Sequence, residues 1–368
     1  MKRLIIALLL PLWPLAANSP SANDQARFLA GLPQVEGSPL AELAQRSEYG
    51  RHAKEFDTSW ADIETRQLGP IRGWMLQTLP QVVQDTSALL YPFSGPDFLH
   101  ANTFYPNAST YVLCGIEPVG LPPDVTALGG DSLDASLRKL RESLNAALSF
   151  SFFITSSMKN DLSANATRLS GTLPVLYVFL ARCGCHIDSV ETIGLDKAGK
   201  FTTTENSKHP GARIQFTGKA GQKQTLFYFS TNLASWNIKQ DPGFKLFCDS
   251  FPFPNGFTKS ASYLMHLDEF EMVRDMLLSQ CATMLQDDTG IPWADFPHET
   301  WTPTAYGWYP GPISRFADKY QSDLAAIYKA GGVPEIPFGI GYNWRPKQST
   351  LIFAKAKREV LKAIPVVQ

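Results

Sequence analysis

Two short apolar runs restrict the fold more than any other feature of this chain. Residues 87–93 (SALLYPF) stop at Ser94-Gly95-Pro96-Asp97, and residues 110–116 (TYVLCGI) follow closely. Runs of this length, apolar on both alternating faces and bounded by Pro and Gly, fit buried strands better than helices. A strand buried on both faces requires layers above and below it. The chain therefore needs covering helices, and it contains them.

The clearest helix is predicted over residues 132–158, after Asp131 as N-cap. Leu133, Leu137, Leu140, Leu144 and Leu148 share one stripe, while Arg138, Lys139, Arg141 and Glu142 fall elsewhere. A second helix is expected over 260–287 with Leu264, Leu267, Phe270, Val273, Leu277 and Cys281 as its stripe. A third is expected over 316–330, ended by Gly331-Gly332. Residues 175–179 and 187–193 read as strands, 214–216 and 226–229 as a hairpin, and 351–354 as a last strand. Residues 23–85 read as helical and loop-rich. The expected class is α/β or α+β: a mixed sheet packed by long amphipathic helices, with a helical N-terminal region (23–85) before a main mixed domain (86–368).

At the N-terminus, Lys2 and Arg3 precede an apolar run over residues 4–10 that continues to Ala16 and Ala17. A basic start, a short apolar core and small residues after it make a secretory signal peptide, expected to span residues 1–22. Export to the periplasm or the cell exterior follows. No later segment reaches the ~18 apolar residues of a membrane span, so the mature chain is expected to be soluble with no transmembrane segment. With 44% hydrophobic residues the chain can bury enough surface to fold, and 33 basic against 34 acidic side chains give no field that would attract nucleic acid.

Three segments are candidates for a site. The first is the turn between the two apolar runs, with Ser94, Asp97 and His100 as the candidate catalytic residues. A serine at a strand end acts as a nucleophile when a histidine takes its proton and a carboxylate orients that histidine. The Gly-x-Ser-x-Gly pattern is absent, since Pro92 and Pro96 stand where its glycines would be. Ser-Gly-Pro-Asp is also an ordinary turn composition.

The second is an aromatic, Pro-rich stretch over 291–312, read as a long loop. Its Trp293, His298, Trp301, Tyr306, Trp308 and Tyr309 would grip a sugar ring by stacking and hydrogen bonds, or would simply pack over helices. The third is Cys183-Gly184-Cys185-His186. In an exported protein it reads first as disulfide or buried thiol, with Cys183 and Cys185 bridging each other across a tight loop or pairing with Cys114, Cys248 or Cys281, and Cys281 also reading as core; otherwise it reads as part of a metal or redox site. Five cysteines leave at least one free or bonded to another chain. The doublets Asp268-Glu269 and Asp287-Asp288 are expected on a solvated helix face and in a turn after that helix.

No dinucleotide fingerprint, phosphate-binding loop or His-Glu-x-x-His motif occurs, and the sequence names no cofactor or metal site. The leading expectation is an exported soluble protein that binds a small-molecule or glycan ligand, or a cell-envelope partner. A hydrolase using Ser94 or paired carboxylates is the alternative, and a cysteine-based metal or redox protein the third.

Overall fold

The computed structural model describes residues 19–128, 131–150 and 169–357. Most of the expected signal peptide, the later part of the helix expected over 132–158, and the basic C-terminal tail lie outside the described residues. Among the described residues no helix is long and apolar enough to cross a membrane.

The strands are β1 (Leu89–Tyr91), β2 (Thr110–Gly115), β3 (His186–Leu195), β4 (Phe201–Thr202), β5 (His209–Thr217), β6 (Lys223–Ser230), β7 (Asn255–Thr258), β8 (Thr283–Gln286), β9 (Trp301–Gly307) and β10 (Thr350–Ala356). They form one sheet in the order β4-β3-β5-β6-β2-β1-β7-β8-β10-β9. The five in the middle, β6-β2-β1-β7-β8, are mutually parallel, while the hairpin side β4-β3-β5 and the pair β10-β9 join antiparallel.

The two apolar runs become β1 and β2, side by side at its centre. Their alternation divides between two cores. Leu89, Tyr91, Tyr111 and Leu113 face one, and Leu90, Val112 and Cys114 face the other. The first core is covered by the helices Ala22–Leu29, Ser47–Ile63, Gly69–Thr78, Phe98–Phe104, Asp131–Phe150 and Leu173–Arg182. The second is covered by Ser235–Gln240, Gly243–Asp249 and Glu271–Gln280. The α/β class therefore holds, as a sheet wound on both faces. The leucine stripe on Asp131–Phe150 is buried as its spacing predicts.

Four expectations need correction. Residues 175–179 are not a strand but lie in the helix Leu173–Arg182, whose residues from Leu173 to Ala181 are all buried between the sheet and the helix Ala22–Leu29. An all-apolar run carries no periodicity to separate the two states.

The helix expected over 260–287 is shorter, Glu271–Gln280, and β8 follows it. It starts no earlier because Ser260, Ser262 and Tyr263 adopt φ of 53°, 51° and 54°, and the extended Leu267 (φ −107°, ψ 142°) then breaks residues 264–270 into two short 3₁₀ turns. The stretch 291–312 is not a long loop: it carries β9, which pairs with β10 along its whole length. Finally, the helix expected from Phe316 begins at Ser322, because Tyr320 and Gln321 are extended and separate it from the 3₁₀ turns of Ser314–Lys319.

Beyond β2, Gly120 (φ 79°) and Gly171 (φ 81°) cross at backbone contact. A Cβ on Gly171 would stand 2.4 Å from the Gly120 Cα. The N–H of Thr172 then bonds the carbonyl of Val119 at 3.0 Å, anchoring the chain that leaves β2. Gly171→Ala should destabilise the fold by more than the roughly 1–3 kcal/mol of left-handed strain alone, read as a lower urea midpoint. An unchanged midpoint would show that the crossing has room to spare.

Candidate functional site

Taken in chain order, the five parallel strands β1, β2, β6, β7 and β8 lie as 3-2-1-4-5, with β1 central. The connection leaving β1 goes to β2 on one side, and β7 enters on the other. Where a parallel sheet reverses its winding in this way, the loops at the carboxyl ends of the strands diverge and leave a crevice. A cleft of about 380 Å³ lies there. Its walls come from the ends of β1 (Tyr91, Phe93, Ser94, Gly95, Asp97), β2 (Gly115, Ile116, Glu117), β6 (Thr231, Asn232, Leu233) and β7 (residues 259–262), closed by Leu264 and Phe270.

Asp97 organises the floor. It caps the helix Phe98–Phe104 by accepting from the His100 N–H at 3.2 Å, and its Oδ1 also accepts from His100 Nδ1 at 2.9 Å. Its Oδ2 accepts from the Tyr91 hydroxyl and the Lys259 ammonium, both at 3.0 Å. The Lys259 and Asp97 side chains are only 2% and 4% exposed. Burial opposes ionisation of Asp97, but His100 and Lys259 outweigh it and hold the carboxyl well below the usual carboxylate range. Burial pushes His100 the other way, toward its neutral form, against the pull of Asp97. The floor is thus a buried Asp97–Lys259 ion pair with the His100 imidazole and a phenol completing its hydrogen bonds.

Of the predicted catalytic residues, Asp97 and His100 are brought together and Ser94 is engaged elsewhere. The Ser94 hydroxyl lies 2.9 Å from the Gly95 carbonyl and 3.2 Å from that of Cys114, and accepts from the Cys114 N–H at 3.0 Å. It ties its own turn to β2, a structural role for that side chain.

The loop after β7 holds three non-glycine residues in the left-handed region, Ser260, Ser262 and Tyr263, and Phe93 after β1 is a fourth (φ 59°). Each costs on the order of 1–3 kcal/mol and persists only where the surroundings enforce it. For Ser260 and Tyr263 the doublet Asp287-Asp288 does so. It follows strand β8, not a helix, and it is buried. Asp287 accepts from the Ser260 N–H at 2.8 Å, and Asp288 accepts from the Tyr263 hydroxyl at 2.6 Å. Burial, then the neighbouring Asp287, pushes Asp288 up to about 7.

Glu117 was not singled out from the sequence. It is buried at the end of β2, and its carboxylate lies over two glycines: a Cβ on Gly115 would meet Glu117 Oε2 at 2.3 Å, and one on Gly95 at 3.7 Å. The signal was an acid roughly 20 residues beyond a glycine turn, the spacing of a ribose-binding acid in doubly wound sheets. The turn here lacks the remaining glycines, so no fingerprint drew attention to it.

The six aromatic-stretch residues do not converge. Trp293 and Trp301 are buried, in different clusters, and the Trp301 indole donates to the Leu278 carbonyl at 3.0 Å. Tyr306 packs edge-on against Trp74 at 5.1 Å, and His298 is exposed. Trp308 (42% exposed) and Tyr309 line a separate hollow of about 340 Å³ with Tyr328 and Lys347.

All five cysteines are free, which overturns the disulfide reading, and Cys114, Cys185, Cys248 and Cys281 are buried thiols, the other half of that expectation. The sheet separates them: Cys183 and Cys185 pack on one core, and Cys114, Cys248 and Cys281 in the other. Burial raises every one of these thiols, Cys114 and Cys185 to about 12, which makes them poor nucleophiles and poor ligands. Among the described residues no cluster of His, Cys, Asp and Glu suits a metal ion.

Comparison with family models, with curated proteins and with solved structures finds no match, so the functional reading rests on this geometry.

The Asp288 environment predicts a pH effect. Its folded value lies above the ordinary 3.8 of an aspartate, so between pH ~4 and ~7 the folded state holds the proton more tightly than the unfolded chain. This group's contribution to stability therefore declines as pH rises through that window. Asp288→Asn, which cannot ionise, should gain stability relative to the parent by on the order of a few kcal/mol from pH 4 to 7, and no further above it. Urea denaturation across that range checks this, and a pH-independent difference would contradict it.

Proposed function

We propose that the switch-point cleft binds a nucleoside, with the vicinal diol of its ribose on Glu117. The observation that carries this reading is the Glu117 carboxylate lying over Gly95 and Gly115 at the carboxyl end of the second parallel strand. A carboxylate accepts from the hydroxyls of a diol, and the two glycines leave room for that carboxylate against the strand ends. Phe93, Ile116, Leu233, Leu264 and Phe270 supply apolar walls for a flat base.

The same cleft is unsuited to a phosphate. In dinucleotide sites the pyrophosphate sits on the helix that follows β1. Here that helix start is occupied by the Asp97 side chain, and Lys259 is committed to Asp97. A phosphate would meet two carboxylates, Asp97 and Glu117, so the ligand is a nucleoside whose tail is neutral or cationic. Export is part of the same proposal, supported by the basic, apolar and small-residue composition of residues 1–22. A second reading, a saccharide stacked on the exposed Trp308 beside Tyr309, is favoured by the hollow those rings line.

Isothermal titration with adenosine, 2′,3′-dideoxyadenosine and ATP tests the proposal. Adenosine should bind saturably, and both analogues more weakly. Glu117→Gln should weaken adenosine by about tenfold or more, the worth of a hydrogen bond to a charged group. Absence of adenosine binding, or ATP binding more tightly than adenosine, would overturn it.

A further inference from the structure

The far wall of the cleft carries a constellation that the diol-binding reading does not use. β6 ends at Ser230, and the next residue, Thr231, is held against β2 by its N–H on the Gly115 carbonyl at 2.8 Å. Thr231 lines the cleft. Its hydroxyl is 2.7 Å from Nδ1 of His209, and Nε2 of the same ring is 3.1 Å from Oδ1 of Asp241. Thr231 and His209 are buried, and the imidazole packs on Phe244 at 6.5 Å between ring centroids.

Three elements converge to make this chain: Thr231 comes from the end of β6, His209 from the start of β5, and Asp241 from the turn between the helices Ser235–Gln240 and Gly243–Asp249. The His209 N–H is fixed by the Ser207 hydroxyl at 2.9 Å, which sets where the ring enters. An ionised carboxylate only accepts hydrogen bonds, so Nε2 of His209 carries the proton toward Asp241. Nδ1 is then the lone-pair nitrogen, and it accepts the Thr231 hydroxyl. The result is a hydroxyl, a base facing it, and a carboxylate that holds the base in that tautomer. The two ring nitrogens are exchanged relative to the serine-protease arrangement, but the roles depend on geometry and not on which nitrogen serves.

We propose that Thr231 is an activated nucleophile and that this protein hydrolyses an ester bound in the cleft. Thr231 Oγ1 attacks the ester carbonyl carbon while its proton passes to His209 Nδ1. The carbon–oxygen bond to the alcohol breaks, and the alcohol leaves with the proton returned from Nδ1. Water, deprotonated by the same nitrogen, then attacks the acyl-threonine. It releases the carboxylic acid and restores the Thr231 hydroxyl. Because it rests on the relay and the cleft, this activity does not require that the natural ligand be a nucleoside.

The probe is p-nitrophenyl acetate, with the full-length protein, followed by release of p-nitrophenolate and by peptide mass spectrometry after rapid acid quench. The parent should hydrolyse the ester and carry an acetyl group on Thr231. Thr231→Val, which keeps the shape and removes the hydroxyl, and His209→Gln should each lose about 100-fold or more of the rate, the usual worth of a nucleophile or general base. Thr231→Ser keeps the hydroxyl and should retain hydrolysis, so it separates lost chemistry from lost folding if the valine variant melts early. Turnover by the parent no faster than by His209→Gln, or acetylation confined to lysines, would overturn the proposal.

Discussion

The ion pair between Asp97 and Lys259 is the interaction on which the rest of this molecule depends. Asp97 begins the helix after β1, and Lys259 follows β7, so the pair spans the point where the sheet reverses its winding. Two charges taken out of water there cost several kcal/mol each, and only a closely matched partner with further hydrogen bonds offsets that cost. Tyr91 and His100 supply those bonds. Removing either charge alone leaves the other buried without compensation, a loss of roughly 3–5 kcal/mol. The crevice above the pair therefore has a floor of fixed polarity, with its one buried ammonium already matched.

Around that floor the backbone is held where side chains rarely allow it. Phe93, Ser260, Ser262 and Tyr263 lie in the left-handed region, all at strand ends that line or border the cleft. Behind them the buried doublet Asp287-Asp288 takes up the N–H of Ser260 and the hydroxyl of Tyr263. The core thus supports the strain, while the cleft walls themselves carry hydroxyls, amides and aromatic rings. Such division between a rigid sheet and functional strand-end loops is what a doubly wound fold provides.

Much of this architecture is legible in the residues, and the illegible parts have physical causes. The runs 87–93 and 110–116 read as buried strands because both faces are apolar and Pro or Gly ends them. The leucine stripe of Asp131–Phe150 and the hairpin β5–β6 are equally plain. Residues 173–182 defeat periodicity because the helix is buried all round. The 260–287 stripe runs through a backbone reversal held by tertiary bonds from Asp287, Asp288, Thr289 and Tyr342, which no local pattern shows. Pro and Trp density over 291–312 conceals an edge strand whose alternate residues, Trp301 and Ala305, point inward. As for the site, the 94–100 turn was recognisable as a strand-end feature, and the structure sets it on the cleft. Glu117, Lys259 and the pairing of His209 with Thr231 were not recognisable. Their partners lie 22 and 162 positions away or, for Glu117, belong to a glycine turn too reduced to register.

We propose that the ligand site is the crevice at the switch point and not the aromatic hollow that follows β9. A crystal structure of the protein grown with saturating adenosine tests it most directly. The expected result is the ribose against Glu117, with its 2′ and 3′ hydroxyls on the carboxylate and the base between the apolar walls. Adenosine bound instead on Trp308 and Tyr309, with the crevice holding only water, would contradict it.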